Sequence, residues 1–341
     1  MSFNKISVYV LLFFCLVSTN CRSAERTISL LSWEGYYPQE VLKKFEEKYN
    51  VKVDYKFINS IDEIQKKLSA EQYDVVMVPD YLVKKLIKQK LLSKLDKKQK
   101  PSLARINKRF TTPSYDPKLE YCIPFSWGTT GIGYNKKYVT KEEASSWKVF
   151  FNPKFKGKIA MLDEPKELFL VALKSLGYSM NSTNIKELEA AKKLLIDQKP
   201  FVKMYSPDFK EPLIKEEIWI AHGWNGDVVK AKAKNPNIEF SIPANGSSAW
   251  RDNFCVHSKS NNLELATKLI NFISEAKMAA IFTNEIQYAT PFKGTEPYLK
   301  EEIKNNISIF PTKKQLSTLE FYGDLKDTII RDETWSIIKP K

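Results

Sequence analysis

Aromatic rings and carboxylates gather at six places along this chain, four of them just after an apolar stretch, one in a connecting segment and one in a later loop. Trp33-Glu34-Gly35-Tyr36-Tyr37 follows one stretch, Pro79-Asp80-Tyr81 another, and Asp163-Glu164-Pro165-Lys166-Glu167 a third. Trp224-Asn225-Gly226-Asp227, Trp250-Arg251-Asp252 and Tyr288-Ala289-Thr290-Pro291 complete the set. Rings and carboxylates together suit an organic cation. The face of a ring attracts an ammonium, by ~2 kcal/mol or more once water is excluded. Carboxylates accept charge-assisted hydrogen bonds from the same group. Crowded in an empty cleft they repel one another, and a polycation relieves that repulsion. A methylene chain between amines would lie along the rings.

Each residue also has a plainer reading. Glu164 and Glu167 stand where a helix begins and stabilise its dipole there. Asp80 suits an N-cap, and Asp227 closes a turn after Gly226. Trp127 and Trp147 read as packing. Taken singly, most of these positions are structural; their co-location on one rim favours binding.

The elements that must position this rim follow from periodicity. Arg26 to Trp33 reads as a buried strand, and Val41, Leu42, Phe45 and Tyr49 recur at helical spacing. Val51, Val53, Tyr55 and Phe57 alternate as a strand, Ile61, Ile64 and Leu68 mark a helix, and Asp74 to Val78 forms a third strand. Strands alternating with helices imply right-handed crossovers and a parallel, doubly wound α/β sheet. The pattern restarts with strands at Lys158 to Leu162 and Ile218 to Trp224, and helices at Glu167 to Leu176 and Glu187 to Ile196. Two apolar, Gly-punctuated or aromatic segments, Tyr121 to Tyr134 and Ser248 to His257, join the halves. In open α/β sheets ligands bind beyond the carboxyl ends of strands, where the rings and carboxylates fall.

Composition narrows the function further. The 341 residues, 43% hydrophobic, fit two domains. A formal charge of +14 would suit a nucleic acid, but only six basic residues are Arg and the lysines scatter along helical faces. No nucleic-acid partner is expected. Two histidines, His222 and His257, and no nucleophile elbow, phosphate loop or metal-ligand cluster leave no catalytic residue, metal or cofactor to assign. His222, in a strand, reads as structural.

Lys5 followed by the apolar run Ile6 to Val17 reads as a signal peptide, residues 1–20. Leu16 to Cys21 resembles a bacterial lipoprotein processing site, with Cys21 as the lipid-bearing first mature residue and a membrane as its partner. Cys122 and Cys255 are either a disulfide or two buried thiols. Their apolar contexts favour thiols.

The motifs resemble the bacterial spermidine/putrescine-binding proteins of polyamine ABC transporters, from about Thr27 to the C-terminal region. The resemblance rests on Ser32 to Tyr36, Tyr73 to Val76, Ile123 to Asn135, Trp224-Asn225-Gly226, Trp250-Arg251-Asp252 and Tyr288 to Pro291. It implies a two-lobed type II periplasmic-binding-protein fold, an extracytoplasmic location, a polyamine ligand (spermidine or putrescine), and delivery to a membrane ABC permease rather than catalysis. The implied lobes are 26–128 with 254–292 and 129–253 with 293–341, hinged near Gly128 to Tyr134 and Ala249 to Phe254. Trp33, Tyr36, Tyr81, Trp224, Trp250 and Tyr288 match the ligand cage. Asp252 matches the carboxylate that anchors one amine, Glu167 the one that reads another, and Glu164 a neighbouring acid. Asp227 is similar to an aspartate of putrescine binders. Pro79 stands where relatives place a hydroxyl, Gly35 where some have an acid that Glu34 replaces, and Tyr322 about where spermidine binders have glutamine. The choice between spermidine and putrescine therefore stays open. Rival ligands for the fold are thiamine, a ferric ion on Tyr36-Tyr37, or an anion; a rival role is a surface adhesin using the basic exterior.

Overall fold

The computed structural model describes residues 26–95, 101–323 and 329–339. The expected signal peptide and Cys21 lie outside the described residues. Three parallel strands begin the first lobe: β1 (Thr27–Trp33), β2 (Lys52–Ile58) and β3 (Val75–Pro79). Helices Gln39–Tyr49 and Ile61–Ala70 cross between them. Their buried residues, Val41, Leu42 and Phe45 on one and Ile64 and Leu68 on the other, are those that the helical spacing marks. All five residues of β3 are buried, as expected of a parallel strand covered on both faces.

After the short β4 (Leu92–Ser93) comes β5 (Cys122–Asn135), buried along its whole length. The second lobe holds β6 (Ile159–Met161), β7 (Val202–Tyr205), β8 (Ile220–Trp224) and β9 (Ile238–Ser241). The chain returns through β10 (Ser247–His257) and later adds β11 (Leu319–Phe321). The strand order is β2-β1-β3-β10-β5-β8-β6-β7, with β4 and β11 on β10 and β9 on β5. The two segments expected to join the halves are thus long strands. From Cys122 to Thr129, β5 pairs antiparallel with β10; from Thr130 to Asn135 it pairs with β8 and β9. Among the described residues, no helix is long and apolar enough to cross a membrane.

Apolar clusters cover both faces of each half. Phe45, Phe125, Phe254 and Phe282 lie in one first-lobe cluster, and Trp147, Phe150, Phe169 and Ile220 in the main second-lobe cluster. Trp127 and Trp147 are packing residues: both are buried in these clusters, and the Trp147 indole donates to Gly246 O at 2.9 Å. At one place the cores divide the chain differently from the expected lobes. Leu299, Ile303 and Ile309 pack with the first-lobe cluster, whereas Tyr322 and Ile338 pack with the second.

The preference for buried thiols is corrected. Cys122 and Cys255 face each other across the β5–β10 ladder and form a disulfide spanning 133 residues of sequence. Apolar surroundings do not exclude a bond; the pairing register decides it, and long-range register is not written in the local sequence.

Candidate functional site

The site is built at the ends of β1, β3 and β8 and at the middle of β10. A register shift between Asp252 and Asn253 bulges the β5–β10 ladder, with Asp252 opposite Ser126 and Asn253 opposite Pro124. Such bulges re-aim side chains, and Asp252 points to the residues that follow β1. Tyr36 Oη donates to Asp252 Oδ2 at 2.8 Å and lies 2.9 Å from Ser126 Oγ. Trp33 is a second side-chain donor to Asp252. Burial pushes the Asp252 carboxyl up to about 7; the bonds from Tyr36 and Trp33 oppose this, nearby Asp80 adds to it, and Lys166 opposes it.

Rings surround this carboxylate. Tyr288 lies 5.8 Å from Tyr36 and 4.8 Å, edge to face, from Trp250. Close approach here depends on two glycines. A Cβ on Gly128 would lie 2.4 Å from the Trp250 indole, and one on Gly226 would lie 2.5 Å from the Tyr288 ring. Tyr288 Oη donates to Asp227 Oδ2 at 3.2 Å, so a first-lobe ring reaches a second-lobe carboxylate. Burial, then Asp227 and Asp252, hold the Tyr288 phenol well above its ordinary value. Trp224, half-buried, packs against clusters of both lobes.

On the other side of Asp252, Tyr81 rises from the first turn of helix Asp80–Lys88. It too packs against clusters of both lobes, and its ring meets Tyr322 edge to face at 6.4 Å. Burial and the charges of Glu164, Asp252, Asp80 and Glu167 push the Tyr81 phenol well above its usual range. Tyr81 is thus the meeting point of four of the expected acids. Glu167 is buried, with Oε2 3.5 Å from Nε2 of the fully buried His222; Tyr322 Oη donates to Lys166 O at 3.4 Å, and burial with the charges of Glu167 and Glu164 holds its phenol well above the ordinary value.

Two expected site residues differ in position or partner. Asp80 does not cap its helix, whose N-cap is Pro79. Its Oδ1 accepts the Tyr81 N–H at 2.8 Å and its Oδ2 lies 3.4 Å from Arg251 Nε, so a cation of the chain already balances it. Burial still raises its carboxyl to about 6, with Arg251 the main opposing influence. Glu34 is exposed beyond the end of β1.

Sequence reasoning did not single out the cations. Lys166 Nζ lies 2.9 Å from Glu164 Oε2 and only 3.0 Å from the centre of the Tyr81 ring. Lys210 Nζ lies 3.0 Å from Asp227 Oδ1. Arg251 stacks on Phe321, 3.8 Å from the ring centre. One signal was available for Lys166: a lysine in the first turn of a helix opposes the helix dipole. Among the described residues Asp252 has no ion-pair partner within 4.0 Å, unlike Asp80, Glu164 and Asp227.

A model of the family "bacterial extracellular solute-binding protein" matches residues 40–311. The chain is 30% identical over 334 residues to the putrescine/cadaverine-binding protein of Pseudomonas aeruginosa, covering 93% of this chain and 94% of that one. It is 29% identical over 318 residues to the spermidine/putrescine-binding periplasmic protein of Salmonella typhimurium, covering 92% and 91%. Among solved structures, a PotD lipoprotein of Treponema pallidum superposes with a TM-score of 0.83 at 27% identity, covering 92% of this chain and 99% of that one.

Proposed function

The chain belongs to the bacterial extracellular solute-binding proteins, and from that premise we propose that it captures an aliphatic polyamine between its lobes. It delivers that ligand to a membrane ABC permease, and it binds rather than catalyses. The observation that carries this reading is Asp252. It is a buried carboxylate ringed by Trp33, Tyr36, Trp250 and Tyr288, supplied with neutral donors and, among the described residues, no ion-pair partner within 4.0 Å. Such a group lacks only a positive charge with an apolar stem. An ammonium on a methylene chain provides both. Relatives named for putrescine, cadaverine and spermidine accord with this chemistry.

The proposed ligand contacts are Trp33, Tyr36, Tyr81, Trp224, Trp250, Tyr288 and Asp252. Glu164, Glu167 and Asp227 shape the far side, and Asp80 acts indirectly through Arg251. Tyr36 and Tyr37 part ways: Tyr36 bonds Asp252, while Tyr37 packs among Phe125, Phe254 and Phe282. That divergence counts against a pair of phenolate ligands for iron. The proposed lobes are 26–128 with 254–309, and 129–253 with 322–341, and closure bends β5 and β10. The disulfide suits an oxidising, extracytoplasmic compartment. Lipidation of Cys21 is proposed from its processing motif, and a lipoprotein among the similar structures supports it.

Titrating tryptophan fluorescence with putrescine, spermidine and thiamine tests the ligand class. A polyamine is expected to bind at micromolar Kd or tighter, which corresponds to about −8 kcal/mol. Binding of thiamine alone, or of none of the three, sinks the reading.

A further inference from the structure

Lys166 stands where a ligand amine would be held. It is the second residue of helix Pro165–Ser175, a position where the dipole repels a cation. Its ammonium is nonetheless placed 3.0 Å from the centre of the Tyr81 ring, 5.4 Å from that of Tyr322 and 2.9 Å from Glu164 Oε2. Its side chain is only 16% exposed. Two rings and a carboxylate around an ammonium are the elements that recognise an alkylamine. They come from both lobes: Tyr81 from the helix after β3, Tyr322 and Glu164 from the second lobe. This cation subsite is therefore filled by the chain itself.

We propose that Lys166 is a tethered ammonium that restricts the cleft to diamines, excluding the third amine of a spermidine-like ligand. This rests on the polyamine reading above and deepens it. A diamine needs Asp252 for one ammonium and one further carboxylate within reach of its short chain. A triamine needs an additional site, and the subsite formed by Tyr81, Tyr322 and Glu164 already holds a charge of the same sign. The Lys166 charge also acts on Asp252 and Asp80, so an ammonium bound at Asp252 feels its repulsion, and a more highly charged ligand feels more. Removing the lysine vacates a ring-and-carboxylate site ready for an amine.

Calorimetry with putrescine and spermidine, on the wild type, Lys166→Met and Lys166→Arg, tests this. The wild type is expected to bind putrescine at least tenfold more tightly than spermidine. Lys166→Met should shift the putrescine-to-spermidine ratio of affinities at least tenfold toward spermidine, and Lys166→Arg, which keeps the charge, should leave putrescine preferred. Far-UV circular dichroism checks folding, and Lys166→Gln replaces Lys166→Met if the latter does not fold. A wild type that prefers spermidine, or a ratio unmoved by loss of the charge, overturns the tethered-ammonium proposal while leaving polyamine capture intact. A wild type that binds neither amine removes the polyamine reading itself and this inference with it.

Discussion

Asp252 and Glu164 both bear on Tyr81, yet they differ in what balances their charge. Asp252 is buried with neutral donors, Tyr36 and Trp33, and its proton affinity rises. Glu164 is partly exposed and paired with Lys166 at 2.9 Å. Asp227, with Lys210 at 3.0 Å, resembles Glu164. The contrast separates two uses of an acid in a cleft. A carboxylate with its own lysine is settled in the ligand-free fold. One stripped of water and denied a cation carries a penalty that an arriving ammonium removes, so its attraction for that ammonium is strong. Proximity to rings does not distinguish the two; the missing counter-ion does.

The largest effect expected from this contrast is on affinity. Asp252→Asn should weaken putrescine binding by two to three orders of magnitude, in line with about 2–5 kcal/mol for truncating a buried charged pair. Glu164→Gln should weaken it by less than tenfold. Equal losses in calorimetry would erase the distinction between the two acids.

Next in size is the pH dependence. With the free Asp252 carboxyl near 7, a cation selects its ionised form. Affinity should therefore fall as pH drops below about 7, approaching tenfold per unit, with proton release on binding near neutrality. Calorimetry in buffers of different ionisation enthalpy reads that proton. Asp252→Asn should abolish this part of the dependence, and a flat wild-type profile from pH 8 to 5 would contradict the assignment.

A smaller effect concerns stability. In an unfolded chain an aspartate titrates near 3.9, so the native Asp252 carboxyl holds its proton more tightly. The stabilisation from that proton is full below about 4 and is lost as pH rises through about 7. The ligand-free protein should thus lose part of its stability between pH 5 and 8. Asp252→Asn should lose less over that range and, at pH 8, melt higher than the wild type in calorimetric scans. A melting temperature lowered equally at both pH values would show that the carboxylate is not strained. The smallest effect belongs to exposed Glu34: Glu34→Gln should change affinity by less than twofold.

Much of this architecture is legible in the sequence because it depends on local pattern. The helices after β1 and β2 bury the residues that their spacing marks. Trp33, Tyr81 and Trp224 fall at strand ends, where an α/β sheet opens a cleft, whereas Trp250 and Asp252 lie within β10. What stayed hidden depends on pairing between distant segments. The disulfide needs the register that sets Cys122 against Cys255, and the partner of Asp80 is Arg251, 171 residues away. Lys166 stayed hidden for another reason. Its neighbour Glu164 is local, but Tyr81 and Tyr322, which make its position a cation site, come from far along the chain.

The disulfide has a mechanical corollary. It clasps one end of the two-strand ribbon, at Cys122 and Cys255, and the ribbon's other end is the pairing of Thr129 with Ala249. A clasped end cannot splay, so the fulcrum of any lever motion lies toward Gly128 and Trp250. There the indole rests against a backbone without a Cβ, which would set such a pivot beside the proposed cage.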